Sequence, residues 1–389
     1  MLEATLVDDH RVKIMSRWNP FRLQSAILVI GLSCLPLAGM SENVVPSILK
    51  AFAAPPASFR IDPIAYESPF NSETQTRVKS VDDWIRRREE IYDSWMEVMG
   101  PWPELLKDNS LEVGATKDCG NYIQQRVFLD IAPQQRTSAW LLLPKGVGPF
   151  PSALVVFYDP ETSAGLKSDK PGRDFGRQLV KQGIASLSIG TPGGNAWKPE
   201  IGEAQCQPLS FHAYVAANAW HAMANHPQLE ASRIGVVGHS YGGKWAMFAA
   251  ALWNRFAAVA VSDPGIVFDE SRPNVNYWEP WYLGLDHQNP KSESGIPSTS
   301  NPRTGAYRIL IEQGMDLHEI HALIAPRPFL VSGGSEDPVE RWNALHHLAE
   351  INALLGHKER VFFTQRKPHG PTDKSNTQLM MFFQHFLNP

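Results

Sequence analysis

The chain has 389 residues, with 36 Lys+Arg against 40 Asp+Glu and a formal net charge of −4. That balance argues against a nucleic-acid binder, which would carry a basic excess. With 43% apolar and 20% charged residues the composition is that of a globular protein with a sizeable core, not of a disordered chain. The only cysteines, Cys34, Cys119 and Cys206, make no disulfide framework and no Cys-x-x-Cys pair, so a structural metal is not expected.

Residues 26–38 (AILVIGLSCLPLA) form an apolar run behind Arg17 and Arg22, too short to be a good membrane span. This reads as an export signal starting at Met15 or Met1, with an uncleaved amino-terminal anchor as the alternative. The protein is expected to be secreted or periplasmic, where Cys119 and Cys206 would be free to pair. Residues 1–53 are taken as signal or anchor plus linker, 54–110 as an amino-terminal helical extension, and 111–389 as the catalytic domain.

Within the extension, Val81 to Met99 places Trp84, Ile91, Trp95 and Met99 at helical spacing and stops at Gly100-Pro101. Next, Gln125 to Ile131 and Ser138 to Leu143 read as an antiparallel pair. Short apolar runs at 153–158, 184–189, 233–238, 257–262, 328–332 and 360–364 then alternate with helical patterns near 172–183, 209–225, 241–253, 338–355 and 375–387. A rhythm of this kind predicts an α/β fold with a mainly parallel sheet covered by helices on both faces. One connection, residues 263–327, is long and rich in Pro, Asn and aromatics, and is expected to be a lid or pocket wall.

Gly238-His239-Ser240-Tyr241-Gly242 has the form of a nucleophile elbow, with the strand residues Ile234, Val236 and Val237 before it and the helical run Lys244 to Leu252 after it. Ser240 is the candidate nucleophile, and the backbone N–H of Tyr241 would face an oxyanion. A neutral serine needs a base and an acid that orients the base. His369, just after the last strand, supplies the first. Asp337, in the loop after Phe329-Leu330-Val331, is assigned as the acid, with neighbouring Glu336 and Asp263, which follows the preceding strand, as the alternatives. His318 and His321 lie at a spacing that could hold a metal, but they read as helix-start and packing residues.

Through Gly238-His239-Ser240-Tyr241-Gly242-Gly243-Lys244, Ala322-Leu323-Ile324-Ala325-Pro326-Arg327-Pro328 and Lys367-Pro368-His369-Gly370, the chain resembles the α/β-hydrolase superfamily over roughly residues 110–389. Within it, the likeness is to dienelactone-hydrolase-like proteins and carbohydrate esterases, including acetyl xylan and glucuronoyl esterases. Glucuronoyl esterases typically carry Arg after the serine and Lys three positions later; this chain has Tyr241 and keeps Lys244. The resemblance implies a cofactor-independent serine esterase acting through an acyl-enzyme on a small-molecule or carbohydrate ester. It also implies a second oxyanion donor from the loop after the third strand, at Tyr158 or Asp159. Lys244, Trp278 and Trp281 are the candidate substrate contacts. A peptidase of the prolyl-oligopeptidase type and a non-catalytic carbohydrate-binding homologue are the competing readings.

Overall fold

The computed structural model describes residues 45–71, 77–289 and 294–388. The apolar run at 26–38 and Cys34 lie outside them. Among the described residues nine strands form one sheet: β1 (Glu112–Asp118), β2 (Tyr122–Ala132), β3 (Gln135–Pro144), β4 (Phe150–Val156), β5 (Ala185–Ile189), β6 (Leu229–His239), β7 (Val259–Ser262), β8 (Phe329–Gly333) and β9 (Val361–Gln365). Their spatial order is β1-β2-β3-β5-β4-β6-β7-β8-β9. The pairs from β1 to β5 through β2 and β3 are antiparallel, and every pair from β5 to β9 is parallel.

Strands β4, β5, β7 and β8 are buried along nearly their whole length, so both faces of the parallel sheet are covered. Alternate residues divide between two cores. Leu154, Val156, Val236, Val259 and Val261 pack with the helices Pro208–Ala224, Tyr241–Leu252 and Trp342–Leu354, whereas Ala153, Val155, Val237, Ala258 and Ala260 pack with Phe175–Lys181 and Asp373–Leu387. Strand β1 is different: EVGATKD is exposed along its whole length and has no apolar alternation, so nothing in its composition marks it as a strand.

Helix Val81–Met99 begins at a capping box formed by Ser80 and Asp83 and ends at Gly100, whose φ of 85° favours glycine. It buries Trp84, Ile91, Trp95 and Met99 in the larger core. Trp95 also donates from Nε1 to Glu319 Oε2 at 2.8 Å, tying this helix to the segment between β7 and β8. That segment contains two helices, Gly305–Glu312 and His318–Ala322, and buries Tyr277, Trp278, Tyr282 and Tyr307 in the same core. Among the described residues it packs into the core beside the sheet. Cys119 and Cys206 are both free thiols, and burial pushes the Cys206 thiol up to about 11.

Candidate active site

Strand β6 delivers Ser240 at φ 55° and ψ −115°, a strained backbone for a non-glycine residue. The strain is held by glycines with no room for a side chain. A Cβ on Gly238 would lie 2.1 Å from the Gly242 carbonyl oxygen, and one on Gly242 2.0 Å from the Val156 carbonyl oxygen. The Ser240 N–H donates to the Ser262 carbonyl at 2.8 Å, pinning the elbow to the end of β7. Tyr241 opens the helix Tyr241–Leu252, so its N–H belongs to the first turn, where no helical carbonyl precedes it.

His369 follows β9 and reaches both ways. Its Nε2 lies 2.9 Å from Ser240 Oγ, and its Nδ1 lies 2.8 Å from Asp263 Oδ2. Arg366 holds the loop that carries it: Nη2 donates to the His369 carbonyl at 2.6 Å, Nε to the Gly370 carbonyl at 2.9 Å, and Nη1 to the Ser332 carbonyl at 2.7 Å. The same guanidinium reaches Ser262 Oγ at 3.1 Å, so one side chain links the ends of β7 and β8 to the imidazole loop.

The carboxylate facing the imidazole is Asp263, and the assignment of Asp337 as the acid is corrected accordingly. Asp263 immediately follows β7, the neighbour of the elbow strand, and is fully buried. The loop after β8 turns its N–H groups inward onto it: Asp263 Oδ1 accepts from Gly334 at 2.6 Å, Asp337 at 2.9 Å and Glu336 at 3.2 Å. Asp337 therefore contributes its backbone to this site, while its own carboxylate faces away, accepting from the N–H groups of Gly265 and Ile266 at 2.9 and 2.6 Å. Burial, and then the nearby Asp263 charge, raise the Asp337 carboxyl to about 6. Glu336 accepts from Asn274 and Ser335 and takes no hydrogen bond from His369. One ligand atom each from Asp263, Glu336 and His369 falls within 4.8 Å of the others, the spacing of a cation site. The N–H donors around Asp263 and the Ser240–His369 bond already occupy this cluster.

Lys244 is not a substrate contact. It is 1% exposed, and its Nζ donates to the Pro264 carbonyl at 2.7 Å and the Asn274 carbonyl at 3.1 Å between the faces of Tyr277 and Tyr282. Burial lowers it to about 8 against the opposing pull of Asp337, Glu336 and Asp263. Its place is behind the acid, bracing the turn that begins at Asp263. Trp278, a candidate substrate contact in the sequence, is likewise interior, packed at 6.1 Å from Tyr307. Trp281 is half-buried against Tyr282, which in turn lies 5.9 Å from Tyr241.

Tyr158 turns its side chain toward the nucleophile: burial raises its phenol, and the nearby Ser240 side chain opposes that rise. Its ring stacks on Tyr241 at 4.8 Å and meets Trp197 at 5.9 Å. Asp159 instead caps the next turn through Thr162 and pairs with Lys167. Trp197, 65% exposed, and Arg173 were not singled out in the sequence. Both lie in loops without periodicity, and only their closeness to Tyr158 brings them to the site.

No family model matches the chain, and no curated protein matches it. Among solved structures it is similar to a glucuronoyl esterase from Solibacter usitatus (TM-score 0.63, 18% identity, covering 86% of this chain and 99% of that one). It is also similar to a CE15 glucuronoyl esterase from Teredinibacter turnerae T7901 (TM-score 0.60, 19% identity, 82% and 88%) and a putative acetyl xylan esterase from Bacteroides fragilis NCTC 9343 (TM-score 0.52, 14% identity, 84% and 89%). Sheet order, elbow and these likenesses agree: the chain has the α/β-hydrolase fold, in the form shared by these carbohydrate esterases.

Proposed function

We propose that the protein is a serine carboxylic-ester hydrolase acting on carbohydrate esters. The observation that carries this reading is the unbroken chain Ser240 Oγ, His369, Asp263 at 2.9 and 2.8 Å. Ser240 attacks the ester carbonyl while His369 takes its proton, and buried Asp263 fixes the imidazole tautomer and stabilises the imidazolium. The backbone N–H groups of Tyr241 and Tyr158 receive the negative charge on the carbonyl oxygen. The tetrahedral intermediate collapses as His369 returns the proton to the leaving alcohol, giving an acyl-enzyme on Ser240. Water, deprotonated by His369, then attacks the acyl carbonyl and releases the acid.

The sugar preference is supported by Trp197 and Tyr158, an exposed and a half-buried ring in contact, the second stacked on the residue after the serine, an arrangement suited to one face of a pyranose. Export of the protein, supported by the apolar run at 26–38, fits a polymer-derived substrate. Purified protein and its Ser240→Ala variant, each given p-nitrophenyl acetate and a fluorophosphonate probe, test the reading. Hydrolysis and labelling should both be lost in Ser240→Ala. Activity surviving in the variant would overturn Ser240 as nucleophile. Acetylated and uronate-esterified oligosaccharides then sort the acyl group.

A further inference from the structure

Residues 159–177 border the site and carry several charges, most of them already matched. Asp159 pairs with Lys167 at 3.0 Å and Asp174 with Arg177 at 2.5 Å. Asp169, Lys170 and Arg173 are left over: among the described residues no carboxylate lies within ion-pair distance of either cation. Both lean on the site. Lys170 Nζ sits 5.2 Å from the centre of the Tyr158 ring and 5.7 Å from that of Phe157. The Arg173 guanidinium lies beside the residue after the base, since a Cβ on Gly370 would be 3.4 Å from its Nη2. Its charge acts on both Tyr158 and His239. Arg173 is half-buried, with one hydrogen bond, from Nη1 to the Pro171 carbonyl at 3.3 Å, leaving most of its fork of donors open.

A chain with net charge −4 thus keeps two cations without an ion-pair partner beside its site, Lys170 against the Tyr158 ring and Arg173 on the flank occupied by His369 and Gly370. Because His369 would protonate the leaving alcohol, that flank is where the alcohol portion of an ester sits. A planar guanidinium is matched to a carboxylate, and partial burial strengthens such a contact. We propose that Arg173, assisted by Lys170, forms a subsite for an ionised carboxylate on the alcohol portion of the substrate, so that the preferred esters are those of acidic alcohols such as a uronate-bearing sugar. The inference rests on the esterase reading above and adds the charge of the leaving group to it.

The test compares two isosteric acetate esters, 4-acetoxybenzoate and 4-acetoxybenzamide, which differ in one negative charge. The parent protein should favour the benzoate in kcat/KM, chiefly through KM, and added NaCl should erode the preference. Arg173→Met should cut that preference about tenfold, Lys170→Met less, and Arg173→Lys should keep most of it. Thermal unfolding of each variant separates loss of the subsite from loss of the fold. No preference in the parent, or an Arg173→Met effect equal on both esters and confined to kcat, would overturn the subsite. Ser240→Ala distinguishes the two levels: if it abolishes turnover of both esters while the preference is absent in the parent, only the subsite fails, and if the folded parent turns over neither ester, the esterase reading fails with it.

Discussion

The turns after β6 and β7 lie side by side at the carboxyl end of the sheet, and they are built in opposite ways. The elbow carries its signature within a few residues of itself: Gly238 and Gly242 are glycine because a Cβ on either would strike backbone, that of the elbow itself at Gly238 and that of Val156 on the neighbouring strand at Gly242. The turn at Asp263 is defined from far along the chain. Its carboxylate is held by N–H groups of residues 334, 336 and 337, its base comes from residue 369, and Lys244 supports the next carbonyl from the helix behind. A local device can be read from five letters of sequence. A site assembled by hydrogen bonds across more than 70 residues of chain leaves no such mark.

The largest effect that separates the two turns should come from the two aspartates. Asp263→Asn removes the charge that stabilises the imidazolium and should lower kcat on p-nitrophenyl acetate by roughly 10³- to 10⁴-fold. Asp337→Asn should lower the thermal midpoint and cost kcat less than about tenfold, because its carboxylate holds backbone N–H groups and does not meet the base. A reversal of that order would return the acid to Asp337.

A smaller effect sharpens the picture of Lys244 as a positioning residue. Lys244→Met fills a similar volume but abandons the carbonyls of Pro264 and Asn274. It should reduce kcat by about tenfold and leave KM nearly unchanged, the pattern of a group acting through Asp263. A rise in KM with kcat preserved would make it a substrate contact after all.

The gentlest contrast is in pH. Burial lowers His212, His318, His321 and His347 to about 3, 4, 3 and 3, so the folded chain keeps them neutral where the unfolded chain would protonate them near 6.5. Their contribution to stability is whole above pH 6.5 and is lost as the pH falls. The raised carboxyls of Asp316 and Asp337, at about 7 and 6, act in the other direction, their favourable contribution vanishing as the pH rises through those values. The histidines outnumber them, so the urea midpoint should fall between pH 7 and pH 5. His212 accounts for part of this at the elbow itself, through the Tyr241 hydroxyl 2.6 Å from its Nε2.

Most of the sheet was legible because its strands are short apolar runs between turn residues, and the helix Val81–Met99 because its buried residues recur at helical spacing. Strand β1 was not, since its partner, not its own side chains, makes it a strand. At the site, Ser240 and His369 could be placed from their strand ends, and the geometry brings them together. The acid could not, because Asp263 and Asp337 both follow strands and the choice is made by which side chain the loop after β8 wraps around. Lys244 and Trp278 look like cleft residues by type and are interior by packing. Trp197 and Arg173 occupy irregular loops, where residue type carries no information about neighbours until the chain is folded.

Arg366 has a consequence for how such a site ages. Because one guanidinium clasps the carbonyls of His369, Gly370 and Ser332 together with the Ser262 hydroxyl, the imidazole is mounted on the same rigid frame as the serine. Reactive group and scaffold are fastened by a common rivet. Loosening the base disturbs the guanidinium that also fastens two strand ends, so catalytic competence and the order of the sheet's carboxyl end are tied to one side chain.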